Sequence, residues 1–234
     1  MKSTKCKIYN ENEIRFLTIL FFIVSFSEVM AEFFRYNFFI YLLKPLLIPV
    51  LVIIYFKSSK VKNSYFITSL FFAFLANILF ISKDFNSIML GSFFYAVYRV
   101  LIIYLVVRTV NIKNYFPIFL GCIPFAIIFG YITSLTFNEL GDVLYMYFVQ
   151  VILIIFLSGF ALANYMVDDK KRNYWLLVSC LLFSMIQFIL VLKIYYLSIF
   201  IFQPIAMLLY GFAQYSLYKF IILSEELDSN FSTA

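Results

Sequence analysis

The sequence contains no histidine, and its three cysteines, Cys6, Cys122 and Cys180, stand far apart. Histidine and paired cysteines are the usual protein ligands of zinc, haem and copper, so we expect no metal site and no cofactor. The same absence excludes a Ser-His-Asp triad or a Cys-His pair. The chain also lacks the phosphate-binding P-loop and the dinucleotide-binding GxGxxG motif. Carboxylates, lysine, tyrosine and amides are the groups left for chemistry.

Charged residues are scarce, at 13% of the 234 residues, whereas 65% are hydrophobic and the mean hydropathy is +0.98. A water-soluble domain of this size has too small a core to bury so much apolar surface, which excludes a soluble helical bundle. The apolar residues form eight runs, each of about twenty residues and long enough to span the hydrocarbon core of a bilayer. Their approximate bounds are 14–34, 39–56, 64–82, 87–107, 115–135, 143–166, 174–194 and 198–222.

These runs predict an all-α fold, a polytopic membrane bundle of eight transmembrane helices, because backbone polar groups in lipid must be satisfied within each segment. The runs lack the alternation typical of a transmembrane barrel strand. We expect an N-terminal tail at 1–13, a transmembrane domain at 14–222 and a C-terminal tail at 223–234. The first run carries Glu28, lacks a small-residue cleavage site and is followed at once by another span, so we interpret it as a helix and not as a signal peptide.

The lysines and arginines predict the orientation of the bundle. With alternating spans, 13 of the 18 fall on the side that also holds both termini, and Arg35, Lys83 and Lys193 fall on the other side. Because basic residues collect in cytoplasmic loops, both termini are predicted to be cytoplasmic, in a bacterial inner membrane. The net charge of +6 then reflects topology and attraction to anionic lipid headgroups. No basic groove or motif indicates nucleic-acid binding.

Polar residues inside the apolar spans are the candidate functional residues, because burying such groups in a membrane is expensive. They are Glu28 in span one, Lys44 in span two, Asn77 in span three, Arg99 in span four and Gln187 in span seven. Asn77 and Gln187 each lie about 20 Å along their helices and so share a depth. The pattern predicts one polar pocket that opens to the non-cytoplasmic face, with an ion pair between Glu28 and Lys44 or Arg99. The alternative is an amide network that only holds helices together.

The matching positions of Asn77 in span three and Gln187 in span seven also suggest two parallel repeats of four helices. Four spans per unit preserve orientation, and a site at the interface between repeated halves is a known arrangement in membrane proteins.

Several short runs occur in an order and spacing shared with one family. They are Lys44-Pro45-Leu46 opening span two, Ser69–Leu79 in span three, Gly91 opening span four, Tyr145–Val151 in span six, Leu182-Phe183 followed by Lys193, and Leu209–Gln214 in span eight, which is similar to a TYxxAQ pattern. With these runs, the chain resembles the YhhN-like membrane proteins, which include the lysoplasmalogenases, across all eight predicted spans.

The resemblance implies hydrolysis of the vinyl ether bond of lysoplasmalogen, a lysophospholipid, with release of a fatty aldehyde and a glycerophospho-base. Two intramembrane aspartates are central to the family's chemistry, and this sequence has Asn77 and Gln187 in their places. A family histidine in span four corresponds to Arg99. By this resemblance Asn77 and Gln187 occupy catalytic positions, and Glu28 is the candidate to replace the lost acid or base. Lys44, Arg99 and Gln214 are predicted to bind the substrate.

Three functions remain open from the sequence. The first is a lysoplasmalogenase-like hydrolase in which Glu28 is the working carboxyl group and Lys44 and Arg99 hold the lipid phosphate. The second is a non-catalytic protein that binds or senses a membrane lipid or lysophospholipid. The third is a small-solute transporter or channel, since eight spans with a few buried charges also suit it. Carboxamides neither donate nor remove a proton near neutral pH, which favours the second function over turnover.

Overall fold

The computed structural model describes residues 2–82, 84–110, 115–137, 141–196 and 199–231, and all regular structure within them is helical. The helices in chain order are α1 (Lys2–Phe34), α2 (Asn37–Ser58), α3 (Ser64–Leu79), α4 (Phe85–Thr109), α5 (Phe116–Thr136), a short 3-10 helix (Gly141–Val143), α6 (Leu144–Val167), α7 (Lys171–Tyr195) and α8 (Phe202–Phe231). The predicted all-α fold with eight long helices is confirmed for the described part of the chain.

Seven of the described helices, all except α3, are long and apolar enough to cross a membrane. Together they make the chain a multi-pass integral membrane protein. The helix α1 begins at Lys2 and α8 continues to Phe231, so both helices extend into the segments predicted as tails. The apolar parts of these two helices are Glu11–Phe34 and Phe202–Leu227.

The helix α3 has 16 residues and is therefore only about 24 Å long. It starts where the Asn63 side chain accepts the Tyr65 N–H at 3.0 Å, and it ends at Leu79, three residues before the predicted bound. The chain turns there because Asp84 caps α4 by accepting the Ser87 N–H at 3.0 Å. Hydrogen bonds from Ser87 also hold the pKa of the Asp84 carboxyl below its ordinary value.

Helices that follow one another pair as hairpins, α1 with α2, α3 with α4, α5 with α6 and α7 with α8. The helix α8 also packs against α1 and α2 and closes the bundle, while α4 packs against α6. Lys57 at the end of α2 forms a 3.1 Å ion pair with Glu13 near the start of α1. Tyr55 donates a 2.5 Å hydrogen bond to Glu225 near the end of α8. Both termini therefore lie at one end of the bundle, the termini end, and the α1–α2 turn lies at the other, the loop end.

Glycines bring two helix pairs into close contact. A Cβ atom added at Gly121 of α5 would lie 2.5 Å from the backbone oxygen of Gly159 in α6, and one added at Gly211 of α8 would overlap Ser25 of α1. Away from these contacts, large apolar side chains such as Ile127 and Phe119 cover the outside of the bundle, with 67% and 70% of their surface exposed. Such an apolar exterior is what a lipid-facing surface requires.

Candidate functional site

The polar residues predicted from the sequence share one half of the bundle, the half nearer the loop end. Glu28 lies about 9 Å before the end of α1 and Lys44 about 10 Å after the start of α2, counted along the helix axis. Gln187 lies about 12 Å from the end of α7, and Asn77 only about 3 Å from the end of α3. The backbone of Arg99 lies deeper in the bundle than these residues. Its side chain extends toward the loop end, where the guanidinium group bonds to Gln187.

Arg99 is the centre of a buried hydrogen-bond group, with only 2% of its surface exposed. Its Nη1 donates to the backbone and side-chain oxygens of Gln150 at 2.9 and 2.7 Å, and its Nη2 donates to Oε1 of Gln187 at 3.0 Å. The Tyr95 ring lies 4.7 Å from the guanidinium carbon. Gln150 in turn donates to the Ser92 carbonyl at 2.7 Å. We call Arg99, Gln150, Gln187 and Tyr95 the arginine centre; in the described part of the chain its acceptors are all neutral.

Three tyrosines, the buried Tyr98 and Tyr210 and the partly buried Tyr95, form a second group that we call the tyrosine cluster. Asn77 donates from Nδ2 to the Tyr210 hydroxyl at 3.1 Å, and the Tyr98 hydroxyl donates to Oε1 of Gln214 at 3.2 Å. The rings of Tyr95 and Tyr98 lie 5.4 Å apart. The tyrosine cluster thus joins Asn77 and Gln214 to the arginine centre through Tyr95.

A third group, the loop-end cluster, consists of Glu32, Lys44, Lys193 and Gln203. The Lys44 ammonium lies 3.1 Å from Glu32, which also accepts a 3.4 Å hydrogen bond from Gln203. Gln203 accepts a 2.6 Å hydrogen bond from Lys193. The predicted ion pair of Glu28 with Lys44 or Arg99 is therefore wrong: Lys44 pairs with Glu32, one turn further along α1, because that carboxylate also reaches Gln203 on α8.

Glu28 lies between the loop-end and tyrosine clusters. It is 1% exposed, and its Oε1 has no hydrogen-bond partner among the described residues. Lys44 and Glu32 are the charges that act on its carboxyl group, and Glu28 in turn acts electrostatically on the Tyr210 hydroxyl. The Nε2 atom of the fully buried Gln214 faces the Tyr210 hydroxyl but forms no hydrogen bond of normal geometry with any described residue. An unpaired buried polar group lowers the stability of a fold by about 1–3 kcal/mol. Two such groups beside one tyrosine therefore indicate a binding site for a further polar group.

The structure thus connects the predicted site residues in three ways. Arg99 and Gln187 bond directly, Asn77 and Gln214 are linked through tyrosines, and Glu28 stands beside Lys44. Asn77 and Gln187 have different partners, on α8 and α4. Within the described residues, no group of three or more Cys, Asp or Glu side chains gathers in a way that could hold a metal ion.

The sequence analysis missed several members of these groups. Gln150 and Glu32 carry a signal, because each is a polar residue within an apolar span. Tyr95, Tyr98 and Tyr210 carry none, since the chain has 19 tyrosines and most suit a membrane interface equally well.

An apolar groove opens on the lipid-facing side of α1 and α2 at the loop end, with a volume of about 390 Å³. Its lining includes Ser27, Ala31 and Leu43, the sequence neighbours of Glu28, Glu32 and Lys44. Aromatic and aliphatic side chains supply the remainder, namely Phe26, Met30, Phe34, Tyr36 and Phe39. The groove is therefore apolar, and three of its lining residues adjoin members of the site in sequence.

Residues 39–221 match the YhhN family. Comparisons with curated proteins and with solved structures found no significant match. The matched segment runs from the start of α2 to α8 and contains every predicted site residue except Glu28, which lies on the preceding helix. The predicted resemblance is thereby confirmed over α2 to α8. The chain belongs to the YhhN family of multi-pass membrane proteins.

Proposed function

We propose that this chain binds a lysophospholipid, or a similar lipid with one hydrocarbon chain, in the loop-end half of its bundle and that it hydrolyses vinyl ethers slowly or not at all. The proposal rests on the hydrogen bonds of Asn77 and Gln187, the two amides that the resemblance places at the positions of the family's aspartates. Asn77 donates to Tyr210, and Gln187 accepts from Arg99, so both work as neutral hydrogen-bond partners.

Vinyl ether hydrolysis requires a proton delivered to the alkene carbon and a water activated against the resulting oxocarbenium ion. A pair of carboxyl groups with separated pKa values suits these two tasks, and a carboxamide suits neither. By the resemblance, Asn77 and Gln187 stand at the positions of that pair, so the chain has no carboxyl group at either of them.

Lipid binding is supported by the geometry of the same half. The groove of about 390 Å³ accommodates a hydrocarbon chain at the membrane-facing surface. Lys44, 5% exposed, lies directly behind it and provides a cation for the headgroup phosphate. Deeper in the bundle, Arg99 is a buried cation whose described acceptors are neutral, so it attracts an anionic group as well.

A second candidate is a hydrolase in which Glu28 supplies the missing carboxyl group. The unpartnered Oε1 of Glu28, buried beside Tyr210, favours it. The two candidates differ in one measurable property, which is turnover.

The test of turnover is vinyl ether hydrolysis by the purified protein in detergent, with an aspartate-containing YhhN protein as the positive control. We expect the wild type to be nearly inactive, and Asn77→Asp with Gln187→Asp to recover activity, because the pair restores both carboxyl groups. Either single substitution should recover less. Wild-type turnover comparable to the control would overturn the proposal, and its loss in Glu28→Gln would assign the acid to Glu28.

The test of binding uses a non-hydrolysable ether lysophospholipid and the thermal midpoint Tm. A ligand at about 100 times its Kd stabilises by about 2.7 kcal/mol, which is a shift of several degrees. Lys44→Gln should reduce this shift, whereas Lys60→Gln, an exposed lysine at the other end of the bundle, should leave it unchanged. Equal shifts in the two variants would contradict a phosphate contact at Lys44.

A further inference from the structure

A second cavity, of about 400 Å³, opens at the termini end between the start of α3 and the end of α4. It lies at the opposite end of the bundle from the loop-end cluster and does not depend on the function proposed above. The lining residues are Asn63, Ser64, Tyr65, Arg108 and Thr109. They provide one cation, one amide and three hydroxyl groups, and no carboxylate.

The segment that forms one wall of this cavity is held in place from behind. The Tyr55 hydroxyl accepts the Asn63 N–H at 2.6 Å, and the Ser59 hydroxyl accepts the Lys62 N–H at 2.9 Å. Both hydroxyls donate to Glu225, at 2.5 and 2.6 Å. The carboxylate of Glu225 is therefore engaged on the far side of the segment, and the cavity wall is preorganised, which lowers the cost of binding.

Arg108, in the last turn of α4, is the cation of this cavity. Its side chain is exposed, and it has neither an ion pair nor a hydrogen bond to any residue that the structure describes. A guanidinium group carries five N–H donors in a planar fork that matches the oxygens of a phosphate. Arg108 is thus free to bind a phosphate group.

The surroundings of the cavity are those of a membrane interface. Tyr65 and Tyr104 are 43% and 46% exposed, and their rings lie 5.0 Å apart. Tyrosine rings favour the headgroup level of a bilayer, with the apolar part of the ring facing the hydrocarbon. Val100, one turn before Tyr104 in α4, is 50% exposed and continues this surface toward the membrane interior. An occupant of the cavity would therefore have a polar head beside an apolar tail.

We infer that this cavity binds the phosphate of an anionic glycerophospholipid from the leaflet at the termini end. Arg108 pairs with the phosphate, Ser64 and Thr109 provide hydroxyl groups for its oxygens, and the acyl chain lies along Tyr104 and Val100. A zwitterionic lipid suits the site less well, because its ammonium group would meet no carboxylate in the lining.

The experiment is native mass spectrometry of the purified chain titrated with phosphatidylglycerol or phosphatidylcholine. We expect a phosphatidylglycerol adduct whose affinity falls about tenfold in Arg108→Gln, the effect of losing one charge-assisted contact. Arg15→Gln is the matched control, because Arg15 is an exposed arginine at the same end of the bundle but on α1. That variant should bind phosphatidylglycerol as the wild type does.

Three results would overturn the inference. They are equal losses in Arg108→Gln and Arg15→Gln, equal affinity for the two lipids, and competition by inorganic phosphate at concentrations similar to the lipid, which would make this a site for free anions. Should Arg108→Gln fail to fold, Arg108→Lys replaces it. This variant keeps the charge and loses the planar fork. Its affinity for phosphatidylglycerol should therefore be lower than that of the wild type and of Arg15→Gln.

Discussion

At the scale of single residues, the unusual group is the buried guanidinium of Arg99. Moving an ion out of water costs several kcal/mol even after a protein relaxes around it. Here neutral dipoles replace the water, the two oxygens of Gln150 and the one of Gln187, and the Tyr95 ring adds a cation–π contact. No carboxylate among the described residues forms an ion pair with Arg99. The stability of the bundle should therefore respond to any change in the acceptors of Arg99.

Gln187 allows this to be tested with two substitutions of similar size. Gln187→Leu removes an acceptor from Nη2 of Arg99 and should destabilise the protein by about 1–3 kcal/mol. Gln187→Glu keeps an oxygen at the same place and adds a negative charge, so its Tm should be at least that of the wild type. Thermal unfolding in detergent measures both. A lower Tm for Gln187→Glu than for Gln187→Leu would contradict this account of how Arg99 is stabilised.

At the scale of helices, the contact between α5 and α6 depends on two glycines. The backbone oxygen of Gly159 lies where a side chain at Gly121 would begin, and Cys122 lies where one at Gly159 would begin. Backbone atoms cannot turn aside as a flexible side chain can. The distance between these helices is therefore set by the absence of a Cβ atom at Gly121.

Gly121→Ala should accordingly separate α5 from α6 and destabilise the bundle by about 1–3 kcal/mol, the usual cost of overpacking. Gly130→Ala is the matched control on the same helix, because nothing lies within 4 Å of a Cβ atom added there. Its Tm should stay at the wild-type value or rise slightly, since alanine favours a helix more than glycine does. Equal losses in the two variants would show that glycine at position 121 has no role in packing.

The helices are the level that the sequence predicts best. Long apolar runs permit only one regular structure in lipid, so seven spans followed from length and composition. The third was predicted too long, because Phe80 and Ile81 are as apolar as the residues before them, and only the capping of α4 at Asp84 shows where the chain turns.

The polar residues of the site could also be predicted from the sequence, since each interrupts an apolar run. Their partners were not, because pairing Asn77 with Tyr210 or Lys44 with Glu32 depends on how helices distant in sequence pack together.

At the scale of the whole molecule, the bundle places both termini at one end. The Lys57–Glu13 ion pair and the Tyr55–Glu225 hydrogen bond hold the start of α1, the end of α2 and the end of α8 together. The helix α3 runs along α4 between the two ends, from the Tyr65–Tyr104 ring contact at one to the contact of Phe80 with Gly91 at the other. This position agrees with the prediction of eight spans, although α3 is shorter than the seven helices long enough to cross a membrane.

Reporter fusions expressed in a bacterium test the orientation of this bundle. We expect green fluorescent protein to fluoresce at both the N- and the C-terminus and alkaline phosphatase to be inactive at both, because the sequence assigns 13 basic residues to the termini side and three to the other. Fusions in the α1–α2 turn provide the opposite control and should show active phosphatase. Active phosphatase at the C-terminus would reverse the assignment.

The short α3 also affects the lipids around the protein. A helix of about 24 Å is shorter than a hydrocarbon core of about 30 Å, and a bilayer meets such a mismatch by thinning beside it. We expect headgroups and their hydration water to be drawn inward along α3 at the loop end, toward Asn77, which lies two residues before the helix ends. A lipid at that point would bring its headgroup close to the tyrosine cluster without leaving its own leaflet, so the deformation of the membrane would itself supply part of the path into the bundle.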